Sequence, residues 1–335
     1  MPEVLNRIAT GAGAPYEIRG ANGQWGGSWG NANGLETFRY VWRDRDFAMG
    51  GPVCQYFNPA GYFTNYHMFN ITWKSKNRLR SLEVMHPYWL SNRGEDYWRT
   101  THSPFMQAGL HRKTAIVLFN VPAEDPWADK GRADWVANRD KHYGNLIQLA
   151  QVRFPETVDE LVKEGDFYFF REGNIYVSVR VLKPGHTLEK EEDTFIKEQT
   201  RSTDFFHVIK SRDPQTGFIF ETGTAGEYRS FKAFMEKVKS NPLTIDWNRL
   251  EVSYRNCEGD DLRLLYDQDM KEDKEGLILI SPEFRINGEK RDITGWTIAE
   301  SPFVSLKNSV LEVREGKTGF RVDWSGELPR IERER

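Results

Sequence analysis

Four of the seven histidines, His67, His86, His102 and His111, fall between positions 67 and 111, and the polar segment from Ser91 to Leu110 sets Asn92, Arg93, Glu95, Tyr97, Arg99 and Gln107 among them. Removal of a proton α to a uronate carboxylate needs a base, an acid for the departing glycosidic oxygen, and cationic or amide groups that neutralise the carboxylate. His, Tyr, Asn or Gln, and Arg suit those jobs, and all of them occur between Asn92 and His111. Neutral imidazole is also the commonest ligand for zinc, copper and iron. The sequence has no HxH, no HExxH and no histidine pair at helical spacing, so a metal would have to draw each ligand from a separate strand. A packing role competes with both readings: a histidine on an alternating strand is usually a satisfied core residue, and His86, just before Pro87, ends a strand.

The aromatic residues bear on what such a site would hold. Sugars present apolar CH faces and hydroxyl edges, so flat Trp and Tyr rings beside Asn, Arg and Gln fit them. Of eleven tryptophans, Trp25, Trp29, Trp89, Trp98 and Trp127 lie in segments expected to be loops or strand ends, where burial is less automatic. Trp89 and Trp98, with Asn92, Arg93, Gln107 and His67 near them in sequence, are therefore candidate sugar contacts, and His102, His111 and Tyr97 are among the side chains of the segment able to move a proton.

Charge and composition narrow the classes. A net charge of -3 with acids and bases interspersed gives no basic face to release counterions from a phosphate backbone, so nucleic acid is not an expected partner. No apolar run approaches the ~20 residues that cross a bilayer, and the opening residues lack the apolar core of a signal peptide. The expectation is a chain with no membrane partner that is cytoplasmic, or a mature form or excised piece of a secreted protein; oligomeric state is left open. Cys54 and Cys257 stand too far apart for a CxxC pair or a metal knuckle and are expected as free thiols. No cofactor and no metal are expected.

The elements that must position these groups are strands. Aromatic residues make up 13% of the chain, with Gly and Asn scattered between apolar runs, which is the chemistry of pleated surfaces and tight turns. Residues 1–34 show no periodicity and are expected to form an irregular arm; 35–330 are expected to form a single domain. Alternation in ETFRYVWRDRDFAMGG, YFTNYHMFNITWKS and LRSLEVMHPYWL predicts consecutive antiparallel strands. Ser91 to Leu110 is expected as a long loop, of the kind often given to function. KTAIVLFNVP, apolar throughout, predicts a central strand buried on both faces.

DFYFFREGNIYVSVRVL predicts a hairpin, FFHVIKS with TGFIFETG a second, and the C-terminal third further hairpins turning at Glu258-Gly259-Asp260, Asn287-Gly288 and Glu315-Gly316-Lys317. TVDELVKEG has capping-box spacing and predicts a short helix; EYRSFKAFMEKVKSNP predicts a longer one, stopped at Asn241-Pro242. The fold class that follows is mainly β: a large antiparallel β-sandwich with one or two short helices.

The order FRYVWRDRDFAMGG, a strand ending in Thr72-Trp73, then a histidine-bearing strand and a polar loop resembles the all-β domain of heparinase-like and alginate-lyase-like polysaccharide lyases, a super-sandwich shared with hyaluronate lyases and galactose-mutarotase-like proteins. The resemblance spans about residues 35 to 180 and is one of pattern. It implies a lyase that cleaves uronate-containing polysaccharide or oligosaccharide, with Tyr97 and His102 or His111 as acid and base and Asn92 or Arg93 holding the carboxylate. In those families a helical toroid precedes such sheets and supplies much of the sugar cleft; these 335 residues contain no toroid pattern. The alternatives are a non-catalytic carbohydrate-binding or structural sandwich and a histidine-ligated metal-dependent enzyme.

Overall fold

A computed structural model describes residues 7–8, 13–22, 37–57, 69–75, 78–86, 105–124, 126, 149–192, 205–274 and 276–334. The described chain is a large antiparallel β-sandwich. The first sheet contains β1 (Tyr16–Asn22), β2 (Thr37–Arg43), β3 (Phe47–Phe57), β4 (Phe69–Ser75), β5 (Arg78–Met85), β8 (Ala150–Pro155), β12 (Thr187–Glu192) and β13 (Phe205–Ser211). It continues through β21 (Ala299–Glu300), β22 (Val304–Lys307), β23 (Val310–Glu315), β24 (Thr318–Asp323) and β25 (Arg330–Glu334), in the order β12-β13-β8-β5-β4-β3-β2-β1-β21-β22-β23-β24-β25. β18 (Ile278–Ile280) pairs with β3 off this path.

The second sheet runs β6 (Met106–His111), β7 (Thr114–Asn120), β14 (Gln215–Thr224), β11 (Ile175–Val181), β10 (Phe167–Glu172) and β9 (Glu160–Glu164). The third runs β15 (Leu243–Asp246), β16 (Glu251–Arg255), β17 (Asp261–Leu265), β19 (Glu283–Ile286) and β20 (Glu289–Lys290).

Side-chain alternation explains the layering. On β7, Ala115, Val117 and Phe119 join the core shared with the first sheet, while Ile116 and Leu118 join Val252, Leu262, Leu264 and Phe284 of the third. Successive residues of a strand point to opposite faces, so a run apolar at every position is what a middle layer requires. Gly109 on β6 makes the outer contact possible, because a Cβ there would collide with the Phe284 ring. Phe167, Phe169 and Tyr176 on the far half of the same face are covered by α1 (Phe231–Lys239). That helix starts at Ser230, whose side chain accepts from the Ala233 N–H, and buries Phe231, Phe234, Met235 and Val238. Each such burial contributes ~1.5–3 kcal/mol and the cap ~1 kcal/mol.

Several expectations change. Tyr16–Asn22, within the stretch expected to be irregular, is a strand in register with β2 along its whole length, Tyr16 opposite Arg43 and Asn22 opposite Thr37. The predicted long loop gives way to β6 from Met106. TVDELVKEG forms β9, not a helix, because the exposed edge of β10 offers it a ladder from Glu160 to Glu164. FFHVIKS and TGFIFETG do not pair with each other: β13 lies between β8 and β12 in the first sheet and β14 between β7 and β11 in the second. The other predicted hairpins form, with Gly173, Asn287, Gly288 and Gly316 at positive φ in their turns.

Candidate functional site

The turn of the β6–β7 hairpin brings the three sheets together. His111 and Thr114 are its closing pair, and Arg112 between them adopts φ 47°, a left-handed conformation uncommon for a residue with a Cβ. Its backbone N–H donates to the Tyr40 hydroxyl at 3.0 Å, and that hydroxyl donates to Glu17 Oε1 at 2.7 Å. The first sheet thereby holds the turn of the second. Tyr40 is buried, and its phenol is held far above its ordinary pKa, by burial first and then by the Glu17 charge.

From the third sheet, Asp260 reaches His111. Nε2 lies 3.1 Å from Asp260 Oδ2, while Asn287 Nδ2 donates to Oδ1 at 2.8 Å and Asn287 Oδ1 accepts from the Asp261 N–H at 2.9 Å. The Asn287 hydrogen bond leads the causes that hold the Asp260 carboxyl below its usual range, with His111 adding to it. An ionised Asp260 accepts a proton-bearing Nε2, which leaves the lone pair on Nδ1. Burial pushes the imidazole pKa down; Asp260 opposes this, and the charges of Arg291 and Arg112 add to the lowering. The ring is therefore neutral at pH 7 and able to accept a proton. Its side chain retains 12% exposure and that of Asp260 22%, so the pair sits at the surface rim, not in the core.

Two guanidiniums border the pair. Arg112 lies 3.9 Å from Glu258. Arg291 lies over the rings of Tyr40 at 4.5 Å and Phe284 at 5.0 Å, with Nη1 buried and without a hydrogen-bond partner among the described residues. Neutral base, orienting carboxylate, supporting amide and two cations are the parts that acid–base chemistry on an anionic substrate uses.

Of the residues singled out by sequence, His111 lies in this cluster. Gln107 lies on the same strand but is buried, and both ends of its amide are engaged by one residue: Oε1 accepts from the Asp267 N–H at 2.7 Å and Nε2 donates to the Asp267 carbonyl at 2.9 Å. Its geometry pins β6 to the segment after β17. His86 is fully buried, edge-on to Phe105. Tyr97, His102, Asn92, Arg93, His67, Trp89 and Trp98 lie outside the described residues, as do Trp25, Trp29 and Trp127. Among the described residues, no group of three or more His, Cys, Asp and Glu could hold a metal ion. No described helix is long and apolar enough to cross a membrane.

Sequence reading missed Asp260, Asn287, Arg291, Arg112 and Tyr40. Asp260 and Asn287 were visible only as turn residues, and 149 positions separate Asp260 from the histidine it holds. The class that emerges is a layered antiparallel β-sandwich carrying a carboxylate-held imidazole where three sheets meet. No protein-family model and no curated protein matches this chain.

Proposed function

We propose that this chain is a carbohydrate-active β-sandwich that cleaves uronate-containing polysaccharide by β-elimination, with His111 as the base. The observation that carries this reading is the His111–Asp260–Asn287 series beside Arg112 and Arg291. Nδ1 takes the proton α to the uronate carboxylate. The released electron pair forms the carbon–carbon double bond as the bond to the β-glycosidic oxygen breaks, and that oxygen leaves with a proton from an acid. Arg112, half-exposed beside Glu258, supplies positive charge for the carboxylate as its α carbon acquires negative charge, and Arg291, stacked over Tyr40 and Phe284, adds its charge from the buried side. Tyr97 and His102 are the candidate acids, and Asn92 and Arg93 further carboxylate ligands, on the sequence resemblance alone.

The test is the ultraviolet absorbance of the unsaturated product on a panel of uronate polymers. The parent protein is expected to generate it and His111→Ala to lose it by about a hundredfold or more while staying folded. Product formation that survives the substitution removes His111 from the mechanism, and a parent that yields no product on any of the polymers removes the lyase reading. The engagement of Gln107 and His86 in packing favours a second reading, a non-catalytic glycan-binding sandwich, which affinity without product would identify.

A further inference from the structure

The outer face of the third sheet carries a second polar surface. Val252, Tyr254, Leu262, Leu264 and Phe284 face the second sheet, so alternation turns the residues between them outward. The registers Thr244↔Ser253, Ser253↔Arg263, Arg263↔Arg285 and Arg285↔Lys290 set one row straight across all five strands. The row consists of two hydroxyls, two guanidiniums and an ammonium. Above it opens a cleft of 590 Å³ whose lining includes Thr244, Ser253, Arg255, Asp261, Arg263 and Arg285.

Like charges directly opposite each other on neighbouring strands destabilise a sheet, so Arg263 beside Arg285 calls for anionic compensation. It is built in. Glu251 accepts from Nε and Nη2 of Arg263 at 2.6 and 2.9 Å, and Glu283 accepts from Nε of Arg285 at 2.7 Å. The third lining arginine, Arg255, is paired with Asp261 through Nε and Nη2 at 2.8 and 2.9 Å, and Arg285 Nη1 donates to the Gly288 carbonyl at 3.0 Å. The carboxylates therefore offset the charge of each lining arginine and fix the guanidiniums along their Nε edges. A guanidinium held in this way has lost its rotamer freedom before a ligand arrives, which is the pre-organisation that carboxylate recognition rewards.

Asp261 and Gly288 belong to the lining of the cleft, and their chain neighbours Asp260 and Asn287 are the residues that hold His111.

We infer that this cleft is a subsite for a uronate-bearing glycan segment, laid across the Thr244–Ser253–Arg263–Arg285 row. The inference rests on the reading of the chain as one that acts on uronate polymers. Arg263 and Arg285 pair with sugar carboxylates, and the Thr244 and Ser253 hydroxyls bond the ring hydroxyls beside them.

Retention in affinity electrophoresis through alginate, polygalacturonate, hyaluronate and heparin tests it, with dextran as the uncharged control and His111→Ala as the background so that no polymer is consumed. At least one acidic polymer is expected to retard the protein, and Arg263→Gln or Arg285→Gln to weaken that binding about tenfold or more. Thr244→Tyr, at an exposed position that touches no ion pair, fills the cleft and is expected to weaken it also; thermal unfolding of each variant reports folding. Retention by none of the acidic polymers, equal retention by dextran, or unchanged retention in the folded variants overturns the inference. Retention lost in the variants while the parent yields no unsaturated product would remove the lyase reading and keep the cleft. Product from the parent with retention unchanged in the variants would do the reverse.

Discussion

Asp260 and Glu221 are two carboxyls gathered at one junction, and they behave as opposites. Both meet the closing pair of the β6–β7 hairpin, Asp260 through His111 and Glu221 through Thr114, and both involve the turn between β16 and β17. Asp260 is partly exposed, is held by Asn287, and stays ionised below the ordinary carboxylate range. Glu221 is fully buried. It accepts from Thr114 Oγ1 at 3.1 Å, the Cys257 N–H at 2.9 Å and Asn241 Nδ2 at 3.5 Å, with Tyr254 beside it. Burial outweighs those donors and pushes its pKa up to about 7. The same chemical group, placed a turn apart, is thus a rim charge suited to orienting a base in one position and a structural knot in the other. Solvent access decides between them.

The largest effect expected from breaking this contrast comes from the buried side. Glu221→Ala leaves the donors of Thr114, Cys257 and Asn241 facing an apolar hole and is expected to lower unfolding stability by about 3 kcal/mol in denaturant titration. The pH dependence sharpens the point. The native pKa of Glu221 lies above that of an unfolded carboxyl, so the native state binds more protons between the two. Its contribution is fully present below the unfolded value and is lost as pH rises through about 7. The loss is up to about 3 kcal/mol, and Glu221→Gln should flatten that slope; a slope unchanged in Glu221→Gln would assign it to another group.

Asp260→Asn, on the rim, is expected to leave stability nearly unchanged and to slow product formation about a hundredfold. Because the Asp260 charge raises the His111 pKa, the acid limb of the rate profile should also move to lower pH. A lower rate with an unmoved limb would mean that Asp260 acts only as scaffold. The smallest change is Asn287→Gly, which keeps the left-handed backbone at φ 52° but removes the amide that holds Asp260. A stability loss of about 0.5 kcal/mol and a rate loss of a few fold are expected, measured by the same two assays.

How much of this was legible depended on the range of the interaction. The hairpin turning at Gly173 and Asn174 and the helix from Phe231 to Lys239 were written in local pattern, because turn residues and amphipathic spacing act on their immediate neighbours. The Thr157 to Gly165 segment shows the limit: capping-box spacing favoured a helix, and the open edge of β10 overrode it. His111 was identifiable as a candidate by type, but its partner was not, since nothing near position 111 encodes a contact with position 260.

By itself, the amino-acid sequence determined that the chain builds antiparallel sheets, that β7 lies in a middle layer, and where most of the turns fall; periodicity and turn chemistry act within a few residues and survive without any tertiary context. Only the tertiary structure decided which sheet each strand joins, that β13 and β14 part company, and that Asp260 meets the imidazole. The physical reason is that burial and the charges of groups distant in sequence fix a side chain's protonation and role, and both exist only once the three layers have closed.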